Sequence, residues 1–450
     1  MERVAIILAA GLGTRMRSRL PKALHPLAGR PMLAHLGAAA GAVFDRQITV
    51  VGPEMPEAAR PHPFVVQTER LGTGHAARMA APLLTGFAGD VAVLYADNPL
   101  ITPETLRALV AARADADLVL LAMRPADPAR YGRVLTNAAG AVTRIVEFAD
   151  ASAEERAVGL CNAGVICGPW PRLGPWLAAL RNATAKGEYY LGDVVALAVA
   201  EGARVVAVEA PEAELRGINN RAELAAAEAE LQARLRALAM AGGATLIQPD
   251  SVVFSHDTRL GQDVVVGPNV VFAPGVVIED GVEIRAFSHL EGCTVRTGAI
   301  IGPFARLRPG TIVGAGAHVG NFVELKAAVM GDGAKANHLS YLGDATIGAG
   351  ANIGAGTITC NYDGVAKHRT EIGAGAFIGS DTALVAPVRV GARALVAAGS
   401  VVVADVPDDA MAIARGRQVN KPGRGVRRRD EAGAQAPKNL DRVAGPEGQT

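Results

Sequence analysis

In the first half of the chain, short apolar runs alternate with stretches whose apolar residues recur at helical spacing. The runs at 4–8, 48–51, 91–95, 118–122 and 205–208 read as buried strands, and 31–43 and 103–112 as helices between them. Such alternation predicts a mainly parallel, Rossmann-like α/β sheet with ligands at the carboxyl ends of its strands. Residues 222–240, AELAAAEAELQARLRALAM, are almost all helix formers, with Leu224, Leu231, Leu235 and Leu238 on one face and Gly242–Gly243 as a stop. A helix of that length, roughly 28 Å at 1.5 Å per residue, predicts a rod that holds two domains apart.

Beyond it the period changes. Leu260, Val266, Phe272, Ile278, Ile284 and Leu290 recur every six residues, and the beat returns over 301–325, 347–353 and 372–396, often with a small residue next in line. Period six fits neither a helix nor an alternating strand; it is the hexapeptide signature of a left-handed parallel β-helix. The aliphatic residue is expected inside a triangular prism, the small one at a tight corner, and coils are expected about 4.8 Å apart. The first clear hexapeptide begins at Leu260, and the beat fails at 360–371, CNYDGVAKHRTE, where polar residues crowd in. The expected division is therefore a nucleotide-type domain at 1–221, a helical linker at 222–242, a β-helix at 243–417 and a mobile tail at 418–450.

Composition narrows the function classes. Only 4% of residues are aromatic, so Ala, Val, Leu and Gly do the packing, which suits tightly wound backbone. The formal net charge of +1 gives no whole-chain case for nucleic acid or an anionic membrane. The basic run RGVRRR at 424–429 reads as a solvated tail rather than a nucleic-acid site. Cys161, Cys167, Cys293 and Cys360 form no CxxC pair and no zinc spacing, as expected of free thiols in a reducing compartment. No apolar run approaches the roughly 18 residues of a membrane span, and 4–10 runs straight into Gly11, as a strand entering a loop does. A cytoplasmic location is expected.

The loop Leu8-Ala-Ala-Gly-Leu-Gly-Thr-Arg-Met16 follows the first strand, with Pro21-Lys22 beyond. Gly11 and Gly13 free backbone N–H groups to approach phosphate oxygens, and Thr14, Arg15 and Lys22 add a hydroxyl and charge. LAAGxGTRM with a following PK resembles the sugar-nucleotide pyrophosphorylase family, which joins a sugar 1-phosphate to a nucleoside triphosphate. Gln67, the LGTGH at 71–75, Tyr95-Ala96-Asp97, Tyr131-Gly132, Glu147, Asn162 and Asn219 follow in that family's order. The resemblance implies that Leu8, Ala9, Ala10, Gly11, Gln67, Gly72 and Thr73 hold uracil and ribose, with Tyr95 and Ala96 lining the site. It implies that Gly132, Glu147 and Asn162 contact the sugar, Lys22 the phosphates, and Asp97 and Asn219 a Mg²⁺ ion. A non-functional reading of Asp97-Asn98-Pro99 is an Asx turn closing a strand.

In the second half, 306–308, 321–326 (NFVELK), 337–341 (NHLSY) and the excursion interrupt the repeat with charged and polar residues. The stretch GDGAKANHLSYLGDATIGAGANIGAGTITCNYDG closely resembles the acetyltransferase half of the bacterial family that pairs N-acetylglucosamine-1-phosphate uridyltransferase with glucosamine-1-phosphate N-acetyltransferase. The resemblance spans most of 4–415. It implies that His338 is the general base for the amine of glucosamine 1-phosphate, a task suited to an imidazole near neutral pH. Arg308 and Lys326 are implied for the sugar phosphate, and Tyr341, Asn352 and Lys367 for the sugar. Ala355, Asn361, Tyr362, Ser380, Ala398 and Arg415 are implied for acetyl-CoA. Glu324 is expected to orient the His338 ring. UTP as nucleotidyl donor, a homotrimer, acetylation before uridylylation and a supply of peptidoglycan and lipopolysaccharide precursors come with the family.

The main alternative is a mono-functional hexose-1-phosphate nucleotidyltransferase whose β-helix only oligomerises. A non-catalytic scaffold and a zinc hydratase built on His289, His318 and His338 are weaker, because the site motifs are intact and the three histidines share no obvious repeat phase.

Overall fold

A computed structural model of the chain describes residues 2–55, 61–128, 131–182 and 187–426. The main path of the N-terminal sheet has seven strands: β1 (Arg3–Leu8), β2 (Arg46–Val51), β3 (Phe64–Val66), β4 (Asp90–Tyr95), β5 (Leu118–Met123), β6 (Cys161–Pro169) and β7 (Val205–Glu209). Their order is β7-β5-β6-β4-β1-β2-β3, parallel throughout except that β6 is antiparallel to both β4 and β5. A ribbon of Arg133–Thr136 and Val142–Val146 joins this sheet where Arg133 meets Cys161. All five apolar runs form strands, and the expected helices stand at Met32–Gly41 and Pro103–Ala111. The central strands are mostly apolar because both faces are covered: Val4 and Ile6 enter one core, Ala5 and Ile7 the other.

The helix Arg221–Ala241 is capped by the Asn220 side chain, which accepts from Glu223 N. It does not hold the halves apart. Leu224 and Leu231 pack with Leu27, Met32, Leu100 and Ile218 of the first half, and Leu235 and Ala239 pack on the β-helix core. Gln232, 5% exposed, donates to Phe254 O at 2.7 Å and accepts from Phe254 N at 2.8 Å. Ser255 Oγ and His256 N both donate to Ala28 O, so the halves also touch directly. Alanines share the packing with the leucines, Ala227 toward the first half and Ala239 toward the prism. Leu238, expected on that stripe, is 69% exposed.

The second half stacks into three parallel sheets of ten, eight and eight strands, the faces of a left-handed β-helix. The first strand is Thr245–Leu246, ahead of the first clear hexapeptide. Leu246 and Val252 already point inward there, but the short helical turn Pro249–Ser251 breaks the beat. From Val266 onward the six-residue aliphatics are the buried core. The small residues after them serve a purpose other than the expected corner. A Cβ on Gly348 would stand 2.4 Å from Ala374 N, and one on Gly373 2.4 Å from Ala392 N, so they admit the next coil. The left-handed corners fall two residues later, at Gly350 and Gly375.

No described helix is long and apolar enough to cross a membrane. The four cysteines are free, three of them buried. Of the expected tail, 418–426 is exposed, while 427–450, including the second half of the basic run, lies outside the described residues.

Candidate functional site

At the carboxyl end of β1 the chain leaves the sheet between β2 and β4. Ala9 N donates to Val50 O and Ala96 N to Leu8 O, so the glycine loop and Tyr95-Ala96-Asp97 emerge side by side. Gly13 has φ +62°, and a Cβ there would lie 2.6 Å from Lys22 Cβ; the glycine lets the loop pass the lysine. A cavity of about 450 Å³ opens here, lined by Leu8, Ala9, Ala10, Gly11, Lys22, Gln67, Gly72, Thr73, Tyr95, Ala96 and Asp97, all expected site residues. Arg70, Glu188 and Tyr190 also line it and were not anticipated. Arg70 Nε donates to Ala10 O at 2.7 Å, bracing the glycine loop; its position directly before LGTGH was the available clue.

Lys22 Nζ is 2.5 Å from Asp97 Oδ2 and 3.1 Å from Asn219 Oδ1. Ile218 N donates to Asp97 O, and Asn219 N to Glu223 Oε2 at 2.6 Å, so the linker helix holds Asn219 opposite the strand end. Asp97 thus ends a strand, but its carboxylate is aimed at the lysine rather than closing an Asx turn. A carboxylate and an amide oxygen converging on one cation suit a hard divalent ion whose other ligands are phosphate oxygens and water. Among the described residues no cluster of three or more His, Cys, Asp or Glu could hold a metal alone.

Gly132, Glu147 and Asn162 form an adjoining group beyond Tyr95, outside the cavity lining. A Cβ on Gly132 would lie 3.1 Å from Glu147 Oε1, and Asn162 N donates to Gly132 O at 2.8 Å. Burial first, then the Asp193 and Asp150 carboxylates, push the Glu147 carboxyl above its ordinary range; burial does the same to Asp193.

On the prism, register stacks the second set. Asn321 pairs with His338 on adjacent coils, and Glu324 with Tyr341. His338 Nδ1 lies 2.7 Å from Asn321 Oδ1. Glu324, expected to orient this ring, instead accepts from Arg308 Nη1 at 2.9 Å. The reason is register: Glu324 belongs to another face of the prism, stacked over Arg306. Lys326 approaches Asp344 at 3.5 Å, and Asn361 Nδ2 donates to Asp344 at 2.5 Å and to the Tyr341 hydroxyl at 3.4 Å. The neighbouring Lys326 ammonium draws Lys367 below its ordinary range. Arg308, Lys326 and Lys367 thus gather positive charge beside two carboxylates, Glu324 and Asp344.

The Asn361 side chain thus reaches the sugar candidate Tyr341, while the next residue, Tyr362, belongs to the acetyl-CoA set. Asn352 lies in register with Lys335, one coil beyond. Ala355, Ser380, Ala398 and Arg415 do stack: Asp381 N donates to Ala355 O, and Arg415 Nη1 to Ala398 O at 2.7 Å. Tyr362 is 60% exposed on the excursion, which folds as a small hairpin pairing Tyr362 with Lys367. Asp363 braces it: the N–H of Ala366, then His368, hold its carboxyl well below the usual range. His289 and His318 occupy different faces of the prism, so the three-histidine arrangement does not form.

The fold and these two sites define a two-headed transferase, with a nucleotidyltransferase half and a hexapeptide acyltransferase half. The MobA-like NTP transferase domain family matches residues 5–248, and the bacterial transferase hexapeptide family (six repeats) matches 257–292. The bifunctional protein GlmU of Gluconacetobacter diazotrophicus is 63% identical, over 95% of this chain and 96% of its own. That of Acidiphilium cryptum is 62% identical over 94% and 98%, and that of Granulibacter bethesdensis 61% over 93% and 94%. The chain belongs to the GlmU family of bifunctional uridyltransferase/acetyltransferases of UDP-N-acetylglucosamine synthesis. A mono-functional enzyme with an assembly module is not favoured, because the likeness runs through both halves.

Proposed function

We propose that the two reactions divide between 1–221 and 243–417, joined by the helix at 222–242, with 418–450 a tail. In the β-helix, glucosamine 1-phosphate accepts an acetyl group from acetyl-CoA. In the sheet domain, N-acetylglucosamine 1-phosphate takes UMP from UTP. The observation that carries the first site is the meeting of Lys22, Asp97 and Asn219 at the mouth of the glycine-loop cavity.

Uracil and ribose fit the part of that cavity lined by Leu8, Ala9, Ala10, Gly11, Gln67, Gly72 and Thr73. Gln67 Nε2 is held by Gly72 O and His75 Nδ1, which leaves Oε1 to accept from uracil N3–H. Gly132, Glu147 and Asn162 take the N-acetyl sugar. Mg²⁺, held by Asp97 and Asn219 when bound, supplies charge neutralisation at the phosphates. Lys22 adds positive charge beside them. An oxygen of the sugar phosphate attacks the α-phosphorus of UTP, the α–β bridging bond breaks, and pyrophosphate departs; the substrate is already anionic, so no protein base is required. Alignment and electrostatics carry the acceleration.

At the second site Arg308 and Lys326 bind the sugar phosphate, and Tyr341, Asn352 and Lys367 fix the ring. Asn361 lies between that group and the acetyl-CoA cleft formed by Ala355, Tyr362, Ser380, Ala398 and Arg415. His338 Nε2 takes the amine proton as nitrogen attacks the thioester carbonyl; the C–S bond breaks, and the CoA thiolate departs and is protonated. His338 and Tyr362 are exposed on the outside of the prism, which supports a homotrimer in which a neighbouring chain walls the cleft. A cytoplasmic location suits free thiols and these substrates.

Glucosamine 1-phosphate, acetyl-CoA and UTP with Mg²⁺ should give UDP-N-acetylglucosamine, and omitting acetyl-CoA should stop both CoA and pyrophosphate release. Pyrophosphate release without acetyl-CoA would overturn the reaction order, and absence of CoA release would remove the acetyltransferase. Asp97→Asn should abolish nucleotidyl transfer alone.

A further inference from the structure

We propose that Asn321 is the positioning residue of the acetyl-transfer site, fixing the tautomer in which His338 acts. This rests on the reading of His338 as the base and adds the group that makes it one. A neutral imidazole carries its proton on one nitrogen only, and the hydrogen bond made by the other decides which. Asn321 Oδ1 stands 2.7 Å from His338 Nδ1. A carbonyl oxygen only accepts, so Nδ1 carries the hydrogen and the Nε2 lone pair faces outward, free to take a proton from an amine. Once Nε2 is protonated, the same bond holds the imidazolium in place.

The platform is rigid. Asn321 and His338 are register partners on successive coils, and Leu339 N donates to Asn321 O at 3.1 Å. A Cβ on Gly320 would lie 2.0 Å from Asn337 O, so the two coils are in contact just before the pair. Ser340 Oγ donates to His338 O at 2.9 Å, holding its backbone from the other side. The ring itself is exposed, and without Asn321 water would serve either nitrogen.

The choice of an amide has a consequence. The nearby carboxylate of Glu324 is occupied by Arg308. His318 interacts electrostatically with the imidazole, Lys335 lies on the same strand, and Tyr341 opens the following one. Asn321 therefore sets the tautomer without the negative charge that would hold a proton on Nε2 and delay its function as a base.

The test compares Asn321→Ala, Asn321→Asp and His338→Ala in the full-length protein, following CoA release against pH. Asn321→Ala should lower kcat by roughly ten- to a hundredfold, within the contribution of a general base, with the KM values of both substrates little changed. Asn321→Asp, nearly isosteric, should retain the geometry but move the acid limb of kcat/KM to higher pH, because the carboxylate stabilises the imidazolium. Adding Asn321→Ala to His338→Ala should cause no further loss. An unmoved acid limb in the Asp variant, or wild-type kcat in the Ala variant, overturns the proposal. Full acetylation by His338→Ala overturns the base assignment itself, a separable result. A wild-type thermal unfolding profile, the β-helix transition included, shows that each variant has folded.

Discussion

Gly13 shows how much of the nucleotide site depends on one missing side chain. Its φ of +62° and its 2.6 Å approach to Lys22 Cβ mean that alanine would strain the loop and displace the lysine. Gly13→Ala should reduce uridylyl transfer by roughly a hundredfold, as small misplacements of aligned groups do, while CoA release is unchanged; equal loss of both would point to misfolding. Glu147, proposed to take the sugar, illustrates the cost of burying a carboxyl. Its carboxyl and that of Asp193 are raised in the folded chain by burial, so their favourable contribution is fully present below the unfolded carboxylate range and is lost as pH rises through the folded pKa. Wherever Glu147 is ionised in the folded chain, it is thus a destabilising element. Glu147→Gln should raise the first thermal transition at pH 7 by about 2 °C, and the gain should vanish at acid pH, while the KM for N-acetylglucosamine 1-phosphate rises. A loss of stability at pH 7 would contradict the burial argument.

Among the elements, the linker helix departs furthest from its sequence-based expectation. Its leucines suggested a spacer, but a polar residue, Gln232, makes the tightest connection by meeting both backbone groups of Phe254. Gln232→Ala would leave a buried N–H and C=O without partners, a cost of about 2 kcal/mol or more. Urea unfolding should show the loss, together with weaker coupling between the two halves; an unchanged midpoint would mean that water replaces the amide. The same helix begins with Glu223 gripping Asn219 N, so the connection between the halves also sets a residue of the nucleotide site. In the prism, the hexapeptide period was legible because each aliphatic is buried at a fixed phase. The role of the small residues was not, because close approach by the next coil is a contact between segments 16 or more residues apart.

For the whole molecule, two sites on separate structures imply two separable activities. Mixing purified Asp97→Asn with His338→Ala should restore UDP-N-acetylglucosamine formation from glucosamine 1-phosphate, acetyl-CoA and UTP, because the acetylated intermediate can leave one chain and enter another. Failure of the mixture, with each remaining activity intact alone, would show that the intermediate does not exchange. Most of the nucleotide cavity was legible because its residues lie within short motifs at strand ends, where the backbone fixes their direction. Arg70, Glu188 and Tyr190 were not, since they reach the cavity from neighbouring segments with no motif of their own.

Sequence by itself determined the architecture: apolar runs set the sheet, period six set the prism, and the order of motifs set the two chemistries. These are local properties, fixed by which side chains a short stretch of backbone must bury. Tertiary structure alone decided which groups meet. It turned Glu324 to Arg308 and gave His338 to Asn321, it brought Asn219 to Asp97, and it laid the linker helix against both halves. Hydrogen-bond partners are chosen by coil register and by the docking of distant segments, and neither is encoded in the spacing of residues along the chain.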